Sequence, residues 1–547
     1  MTEKRHILKS AWIITLATLA SRICGYLRDQ RITMLLGTSP AADSFILAFR
    51  IPNLLRRLVG EGSLTAAFIP VFAGYLKEKP REEVWEFANR LFWTLAALLV
   101  LIAALGTAFS PAVIRIFTLL GGNAAHWGLA VYLNRIIFPY VFFIGLAALA
   151  TAILNSFHEF GLPASTPILF NISIIAFSFG TVYGPIMKFA PVSYRSPAVA
   201  LSVGVLAGGL LQLGVQLPAL WRKGMRFRPE ISLRDPGIRQ VFRLMLPGFV
   251  GIGVFQINFF VDTVFATSAR MPQGSVTSLY VADRVMELAL GSFAIAVSTA
   301  ILPLMSHQAA AGDFDAHKRT LTFALRLVSF LTLPAAAGLV VLRTPIVQVL
   351  FEHGQFIRES AVMTSRALLF YALGLPGFAA VKLIVPAFYS RRDTRTPVMV
   401  AACAMLLNVM LNIIFLFLFF RVLRNGSPAL ATSVSSYFNF FLLFVIFRKR
   451  FGRLGARGVA KSLGKIAASA GAMGLFCVAM LRIWNGLTLR HSLTAAIWLA
   501  AMIGTAAGVY WLFARIFNCE EIGEVMEVWR ERRQIGSDEV GAPLGLE

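Results

Sequence analysis

Charged side chains are scarce in this chain. Only 14% of its 547 residues are Asp, Glu, Lys or Arg, whereas 57% are hydrophobic and 46 are phenylalanine. A soluble domain has about 25% charged residues, so the polar surface here is too small to cover the apolar mass in water. The shortage of charge excludes an ordinary water-soluble fold and indicates a polytopic membrane protein.

Acidic residues and cysteines are scarcer still. The chain has 27 Asp and Glu against 51 Lys and Arg, which gives a formal net charge of +24. In a soluble chain this excess would indicate nucleic acid. Here the basic residues cluster in short loops between apolar runs, which is the orientation signal of membrane proteins, so we predict no nucleic-acid partner. The four cysteines are scattered, without metal or disulfide spacing.

Long apolar runs follow one another along the whole chain. A spanning helix needs about 20 apolar residues, and by this measure the chain contains about 14 spans. The predicted limits are residues 7–36, 41–75, 85–117, 128–156, 161–186, 197–221, 238–268, 277–308, 319–342, 360–389, 395–420, 427–447, 462–484 and 491–517.

The loops between these runs alternate in charge. Lys and Arg concentrate in the N-terminal segment and in loops such as 222–239 and 448–457, whereas residues 37–40 and 119–127 contain none. Cytoplasmic loops of membrane proteins carry the excess of Lys and Arg. We therefore predict that the N-terminus, the basic loops and the C-terminal tail are cytoplasmic.

Short motifs recur about 230 residues apart. Arg135, Phe157 and Thr166-Pro167 are matched in the same order by Arg366, Phe388 and Thr396-Pro397. The interval spans six predicted helices, an even number, so the halves would share one orientation about an axis along the membrane normal. We predict an all-α integral membrane protein of two six-helix lobes plus two C-terminal helices. The predicted domains are residues 1–222, 223–450, 451–518 (spans 13 and 14) and 519–547 (a cytoplasmic tail).

Charges also lie inside the apolar runs. Each charge near the bilayer centre costs about 2.5–3.5 kcal/mol, so it needs a partner or a use. An alternative places these side chains at helix ends, where they snorkel to the headgroups, but Arg22 and Arg28 lie too far inside their run to be flanks. The charged residues of spans 1, 2 and 8 include Arg22, Arg28, Asp29, Asp43, Arg50, Arg56, Arg57, Glu61, Asp283, Arg284 and Glu287.

Arginine is the informative residue type in this set. A guanidinium stays ionised and offers a planar fork of donors that suits phosphate oxygens. Several arginines facing a cavity, balanced by Asp29, Asp43 and Glu287, would bind a diphosphate. The alternative is a set of buried Arg–carboxylate pairs that only latch the lobes. Both interpretations stay open for Asp29 and Asp43, whereas for Arg28 and Arg284 we favour the ligand.

A second polar group is a candidate Na⁺ site. Asp262 lies in span 7, and Asn408 and Asn412 lie on one face of span 11 at i, i+4. A carboxylate and amide oxygens suit a hard cation. Hydrogen bonding of the same residues across a helix interface is an equal alternative.

Several ordered motifs are longer than chance matches. They are Ser-Arg-x-x-Gly-x-x-Arg-Asp (21–29), Ala-Asp-Ser-Phe (42–45), Pro-Asn-Leu-Leu-Arg-Arg (52–57), Glu-Gly-Ser (61–63), Tyr-Val-Ala-Asp-Arg-Val-Met-Glu (280–287) and Phe-Tyr-Ser-Arg-Arg-Asp-Thr-Arg-Thr-Pro (388–397). Together they resemble the MurJ (MviN) family of lipid II flippases, which belongs to the multidrug/oligosaccharidyl-lipid/polysaccharide exporter superfamily.

The resemblance implies a transporter and not an enzyme. Its substrate would be lipid II, the undecaprenyl-pyrophosphate-linked peptidoglycan precursor, moved from the inner to the outer leaflet of the bacterial cytoplasmic membrane by alternating access. The family's required arginines fall on Arg22, Arg28, Arg56 and Arg284. The supporting or gating positions are Asp29, Asp43, Arg50, Glu61, Asp283 and Glu287. Spans 13 and 14 would form a groove for the lipid tail.

The resemblance also bears on cofactors and partners. Some relatives bind Na⁺ between spans 7, 11 and 12, but Asn412 stands where a carboxylate would be expected, which weakens that prediction. The chain has no match to a P-loop, so we predict no cofactor, with Na⁺ or the membrane potential as candidate driving forces. Membrane lipids and cell-wall synthesis enzymes are candidate partners, and the predicted state is a monomer.

Other function classes remain open from sequence. An exporter of another polyprenyl-linked glycan or of a small molecule would share the fold, although cationic drugs would favour an acidic cavity. A membrane enzyme of cell-wall assembly should show a catalytic acid or nucleophile near the outer face, and the early outer loops offer none. A non-transporting scaffold would tolerate charge reversal inside the lobes.

Overall fold

The computed structural model describes residues 2–58, 64–121, 127–452, 456–486 and 493–523. This part of the chain is built from α-helices, with short 3₁₀ turns and no β-strand, which confirms the predicted all-α class. The helices are α1 (Thr2–Leu36), α2 (Pro40–Leu58), α3 (Leu64–Glu78), α4 (Arg81–Ala108), α5 (Ser110–Phe117), α6 (Gly128–Ile137), α7 (Tyr140–Ser156), α8 (Gly161–Phe177), α9 (Gly180–Phe189), α10 (Pro197–Gly214), α11 (Leu217–Lys223), α12 (Pro236–Ala266), α13 (Ser275–Ala310), α14 (Phe314–Phe351), α15 (Arg358–Tyr389), α16 (Arg395–Phe417), α17 (Phe420–Leu423), α18 (Ser427–Phe451), α19 (Ala456–Gly486) and α20 (Leu493–Ile516).

The membrane-spanning character of the chain is confirmed. Within the described residues, nine helical segments are long and apolar enough to cross a membrane. The number is ten if α8 and α9, which bend by 75° at their junction, form one broken span. The predicted spans 1, 7 and 8 are also helical, as α1, α12 and α13. The exact count of fourteen spans stays a prediction.

Local sequence explains where helices begin. Asp235 precedes Pro236 at the start of α12, and its Oδ1 accepts from the backbone amides of Gly237 (2.9 Å) and Ile238 (3.2 Å). These bonds satisfy amide groups that have no partner inside the first turn. Proline at the first helical position sacrifices no hydrogen bond there. The same pairing of cap and proline starts α10 at Ser196.

The chain divides into two compact units, which we describe separately. Unit 1 comprises Met1–Val281 and Phe351–Ser360, and unit 2 comprises Ala282–Leu350 and Ala361–Glu547. In unit 1, α1 packs along α8, and α12 packs against α2 and α3. The predicted lobe boundaries rest on the internal repeat, which this division does not test, so they stay a prediction.

Glycines fix the turn after α1 in unit 1. Gly37 has φ +58°, and a Cβ there would collide with the carbonyl of Gln355. The Gln355 amide donates to the Met34 carbonyl oxygen (2.9 Å), and the hydroxyls of Thr38 and Ser360 are hydrogen-bonded at 2.7 Å. The carboxyl end of α1 is therefore held by the segment 351–360.

Unit 2 contains the two C-terminal spanning helices. Here α19 packs against α20, and α16 packs against α18. The Tyr510 hydroxyl of α20 donates to the Phe330 carbonyl oxygen of α14 (2.7 Å), which ties the pair to the rest of the unit. The predicted tail begins at residue 519, and its first residues pack onto α14 and α19, whereas residues 524–547 lie outside the described part of the chain.

Candidate functional site

The centre of the candidate site in unit 1 is the pair Arg28 and Asp29 on α1. Arg28 is only 8% exposed and Asp29 only 5% exposed. The Arg28 Nε and Nη2 atoms donate to Asp29 Oδ1 at 2.9 and 2.7 Å. Because the two charges neutralise each other, the cost of holding an arginine inside an apolar span is reduced, although not removed.

Two neutral side chains also hydrogen-bond to Arg28. Arg28 Nη1 donates to Asn171 Oδ1 of α8 at 3.0 Å, and Asn171 Nδ2 donates to the Ser21 carbonyl oxygen at 3.1 Å. The Tyr280 hydroxyl of α13 donates to Asp29 Oδ1 at 3.1 Å and also lies 3.3 Å from Arg28 Nη2. Three helices, α1, α8 and α13, therefore fix one guanidinium.

This arrangement defines what Arg28 can do chemically. Asp29 contacts the Nε–Nη2 edge of the guanidinium, which is the fork that suits a phosphate or a carboxylate in a bidentate contact. A diphosphate has more oxygens and more negative charge than one carboxylate, so it can compete for the same edge. Asp29 and Tyr280 would then hold Arg28 in position until an anion arrives.

Arg50 of α2 lies in the same unit. Its Nη1 donates to the Thr263 hydroxyl of α12 at 2.6 Å, and its guanidinium carbon is 5.9 Å from the centroid of the Tyr280 ring. Tyr280 is therefore close to both Arg28 and Arg50. The sequence placed Arg50 among the supporting residues but gave no reason to single out Tyr280 or Thr263.

Asp43 of α2 holds the start of α13. Its Oδ2 accepts from the Gly274 amide at 2.8 Å, and its Oδ1 accepts from the amide and the hydroxyl of Thr277 at 2.8 and 2.7 Å. A cavity of about 370 Å³ lies beside it, with Trp127 and Gln273 in its wall. Within unit 1, Asp43 thus acts as a cap that joins two helices.

The remaining predicted arginines have different surroundings. Arg22 is exposed on α1, whereas Arg56 is half-buried and its Nε donates to Asn53 Oδ1 at 2.8 Å. In unit 2, Arg284 Nη1 pairs with Glu287 Oε2 at 2.6 Å, as their i, i+3 spacing predicts. Asp283 is buried in the same unit. Glu61 lies outside the described residues.

The candidate Na⁺ residues fall in two different units. Asp262 is buried in unit 1. In unit 2, Asn412 Nδ2 donates to Asn408 Oδ1 at 3.0 Å, and Asn408 Nδ2 donates to the Thr432 hydroxyl at 2.9 Å. The Asn408–Thr432 bond joins α16 to α18, which agrees with hydrogen bonding across a helix interface, and the Na⁺ site stays a prediction.

Sequence analysis missed Asn171 and Tyr280. Each is a polar side chain inside an apolar run, at 161–186 and 277–308, and this position is the only signal that could have found it. Tyr280 is the first residue of the motif 280–287, but only the charged residues of that motif were interpreted as functional. Pairing each with Arg28 needs the tertiary contacts, because 143 and 252 residues separate them along the chain.

The fold and this site define a class: a multi-helix membrane protein that carries arginine–carboxylate pairs on its long helices. A family profile described as "Lipid II flippase MurJ" matches residues 32–497. Since this range covers most of the 547 residues, the chain belongs to the MurJ lipid II flippase family.

Individual relatives agree with the family. The chain is 36% identical over 452 residues to the "Probable lipid II flippase MurJ" of Vibrio cholerae, covering 81% of this chain and 83% of that relative. It is 33% identical over 438 residues to the "Lipid II flippase MurJ" of Burkholderia cenocepacia, covering 79% and 82%.

Solved structures show the same fold. A structure titled "Lipid II flippase MurJ, inward closed conformation" superposes with a TM-score of 0.75 at 27% identity, covering 93% of this chain and 99% of that one. An inward-facing transporter of the MATE family in the MOP superfamily gives a TM-score of 0.64 at 15% identity, covering 80% and 95%. The second likeness concerns the fold alone.

Proposed function

We propose that this protein is a lipid II flippase. It carries the polyprenyl-diphosphate-linked peptidoglycan precursor from the inner to the outer leaflet of the bacterial cytoplasmic membrane, with both termini in the cytoplasm. The observation that carries the proposal is the environment of Arg28: this arginine is buried on α1, a predicted span, and Asp29 occupies its phosphate-binding edge. Membership of the MurJ family supplies the substrate class.

The proposed binding step is an exchange of partners at Arg28. The substrate diphosphate displaces Asp29 from the Nε–Nη2 edge, while Asn171 keeps Nη1 in place. The sequence assigns Arg22, Arg56 and Arg284 to the same diphosphate, and those assignments stay predictions. Alternating access then releases the headgroup on the outer side, and spans 13 and 14 accommodate the tail.

Complementation of a flippase-depleted bacterium tests this proposal. The wild-type chain should restore growth, whereas Arg28→Ala should abolish rescue at an unchanged membrane level, because alanine removes both the charge and the donors. Arg115→Ala is the matched control, since Arg115 is an exposed arginine of α5 in the same unit. Full rescue by Arg28→Ala would contradict the binding role, and failure of the wild type at good expression would point to another substrate.

A further inference from the structure

Arg31 is an arginine on α1 that the charged motifs do not include. It follows Arg28 by three residues, so the two side chains lie on one side of the helix, about 4.5 Å apart along its axis. Arg31 is half-buried and also contacts the end of α8. It is therefore the next cation after Arg28, toward the carboxyl end of α1, on the surface where α1 packs against α8.

Within the described part of the chain, Arg31 contacts neutral groups. Its Nε donates to the Ser178 hydroxyl at 3.1 Å, and its Nη2 lies 3.4 Å from the Ser178 carbonyl oxygen. Its Nη1 reaches only the Met34 sulfur at 3.4 Å, and the Phe179 ring centroid lies 4.7 Å from its guanidinium carbon. Among the described residues, no carboxylate forms an ion pair with it.

Arg31 differs from Arg28 in the negative charge that surrounds its guanidinium. Asp29 neutralises Arg28, whereas the oxygen acceptors of Arg31 belong to Ser178 at the carboxyl end of α8, which supplies at most about half of one negative charge. A thioether is a weak acceptor, so the Nη1 donors of Arg31 retain capacity for a stronger partner. The ring of Phe179 covers one face of the guanidinium and leaves its edge for an anion.

We infer that Arg31 is a second binding residue for the diphosphate of the transported lipid, on the outer side of Arg28. This inference rests on the proposed function and on the proposed orientation, in which α1 runs outward from the cytoplasmic side. The diphosphate meets Arg28 first, where it must displace a carboxylate. It then meets Arg31, where no ion pair opposes binding, so the anion is drawn toward the outer leaflet.

A purely structural role is the competing explanation, because Arg31 also caps the end of α8. Three variants separate the two roles. Arg31→Gln removes the charge, Arg31→Lys keeps it, and Ser178→Ala removes the hydroxyl that Arg31 contacts while leaving Arg31 itself intact. Arg115→Gln is the control for loss of an exposed arginine in the same unit.

The experiment measures equilibrium binding of undecaprenyl diphosphate to the purified full-length chain in phosphatidylcholine nanodiscs. Arg31→Gln should weaken binding about tenfold, the loss expected for one charge-assisted hydrogen bond. Arg31→Lys should retain most of the affinity, and Ser178→Ala and Arg115→Gln should bind as the wild type does. A monodisperse elution profile establishes that each variant is folded.

Three outcomes would overturn the inference. The first is wild-type affinity in Arg31→Gln, and the second is an equal loss in Arg31→Gln and Ser178→Ala, which indicates a structural cap. For the third, phosphatidylglycerol is added to the nanodiscs as a second lipid. If Arg31→Gln weakens the retention of phosphatidylglycerol but not the binding of undecaprenyl diphosphate, Arg31 binds ordinary lipid headgroups. If Arg28→Ala alone loses binding, the proposed function stands without Arg31, whereas no binding by the wild type contradicts the proposed function itself.

Discussion

At the scale of single residues, charge compensation distinguishes the arginines of α1. Arg28 is buried and paired with Asp29, whereas Arg31 is half-buried and contacts only neutral groups. Their chemical type is the same, so residue type alone does not distinguish them. Both contact α8, but Arg28 also pairs with Asp29 and lies against Tyr280 of α13, whereas Arg31 contacts Ser178 and Phe179 at the end of α8.

The cap made by Asp43 gives a prediction at this scale. Asp43→Ala leaves the amides of Gly274 and Thr277 without their side-chain acceptor, so we expect a loss of about 1–2 kcal/mol of stability. Asp43→Asn should lose less, because one amide oxygen remains as an acceptor. Thermal unfolding of the purified protein followed by intrinsic fluorescence measures the order of the three melting temperatures.

Glu159→Gln is a control for the loss of a carboxylate in unit 1. Glu159 pairs with Lys223 at 2.7 Å on the exposed surface, and such pairs contribute about 0–1 kcal/mol. An Asp43→Ala protein as stable as the Glu159→Gln protein would show that the cap is unimportant for folding.

At the scale of elements, a buried carboxylate fixes the two C-terminal helices. Glu521 is 0% exposed, accepts from the Ser462 hydroxyl of α19, and pairs with Arg326 Nε of α14 at 2.9 Å. Glu520 pairs with Arg326 Nη1 at 3.0 Å, but its side chain is 70% exposed. Adjacent acidic residues thus occupy opposite environments.

This difference predicts unequal effects of one substitution at two neighbouring positions. Glu521→Gln removes the buried carboxylate from Arg326, which keeps its ion pair with Glu520. We therefore expect a loss of about 1.5–3 kcal/mol, as for a buried hydrogen bond to a charged group. Glu520→Gln should cost about 0–1 kcal/mol, as exposed pairs do. Melting temperatures of the two variants against the wild type test the difference, and equal values would mean that Glu521 does not anchor α19 and α20.

At the scale of the whole molecule, transport has to be driven. The substrate headgroup is anionic, and one charge moved across the membrane changes free energy by about 2.3 kcal/mol per 100 mV. We predict that the membrane potential drives the cycle. Collapsing it with valinomycin and external potassium should stop appearance of the lipid-linked precursor at the outer face of cells that depend on this chain.

Replacement of sodium by choline, at constant potential, is the paired measurement. Transport that continues without sodium would contradict a role for Asp262, Asn408 and Asn412 as an obligatory Na⁺ site. Transport that survives loss of the potential but stops without sodium would instead assign the driving force to the sodium gradient.

The sequence by itself determined the class of fold and the kind of chemistry. Apolar runs of spanning length predict membrane helices because unpaired backbone groups are costly in lipid. Arginines inside those runs indicate an anionic ligand because guanidinium groups stay charged. These inferences need only local composition and ordered motifs, and they extended to the pairing of Arg284 with Glu287, which the i, i+3 spacing predicts.

Only the tertiary structure decided which residues surround each charge. Asn171 and Tyr280 lie 143 and 252 positions from Arg28, and no periodicity links them. The cap of α13 by Asp43 and the burial of Glu521 beside an exposed Glu520 are equally non-local. The physical reason is that desolvation and hydrogen-bond geometry depend on all packed neighbours, whereas a sequence motif specifies only the residue type.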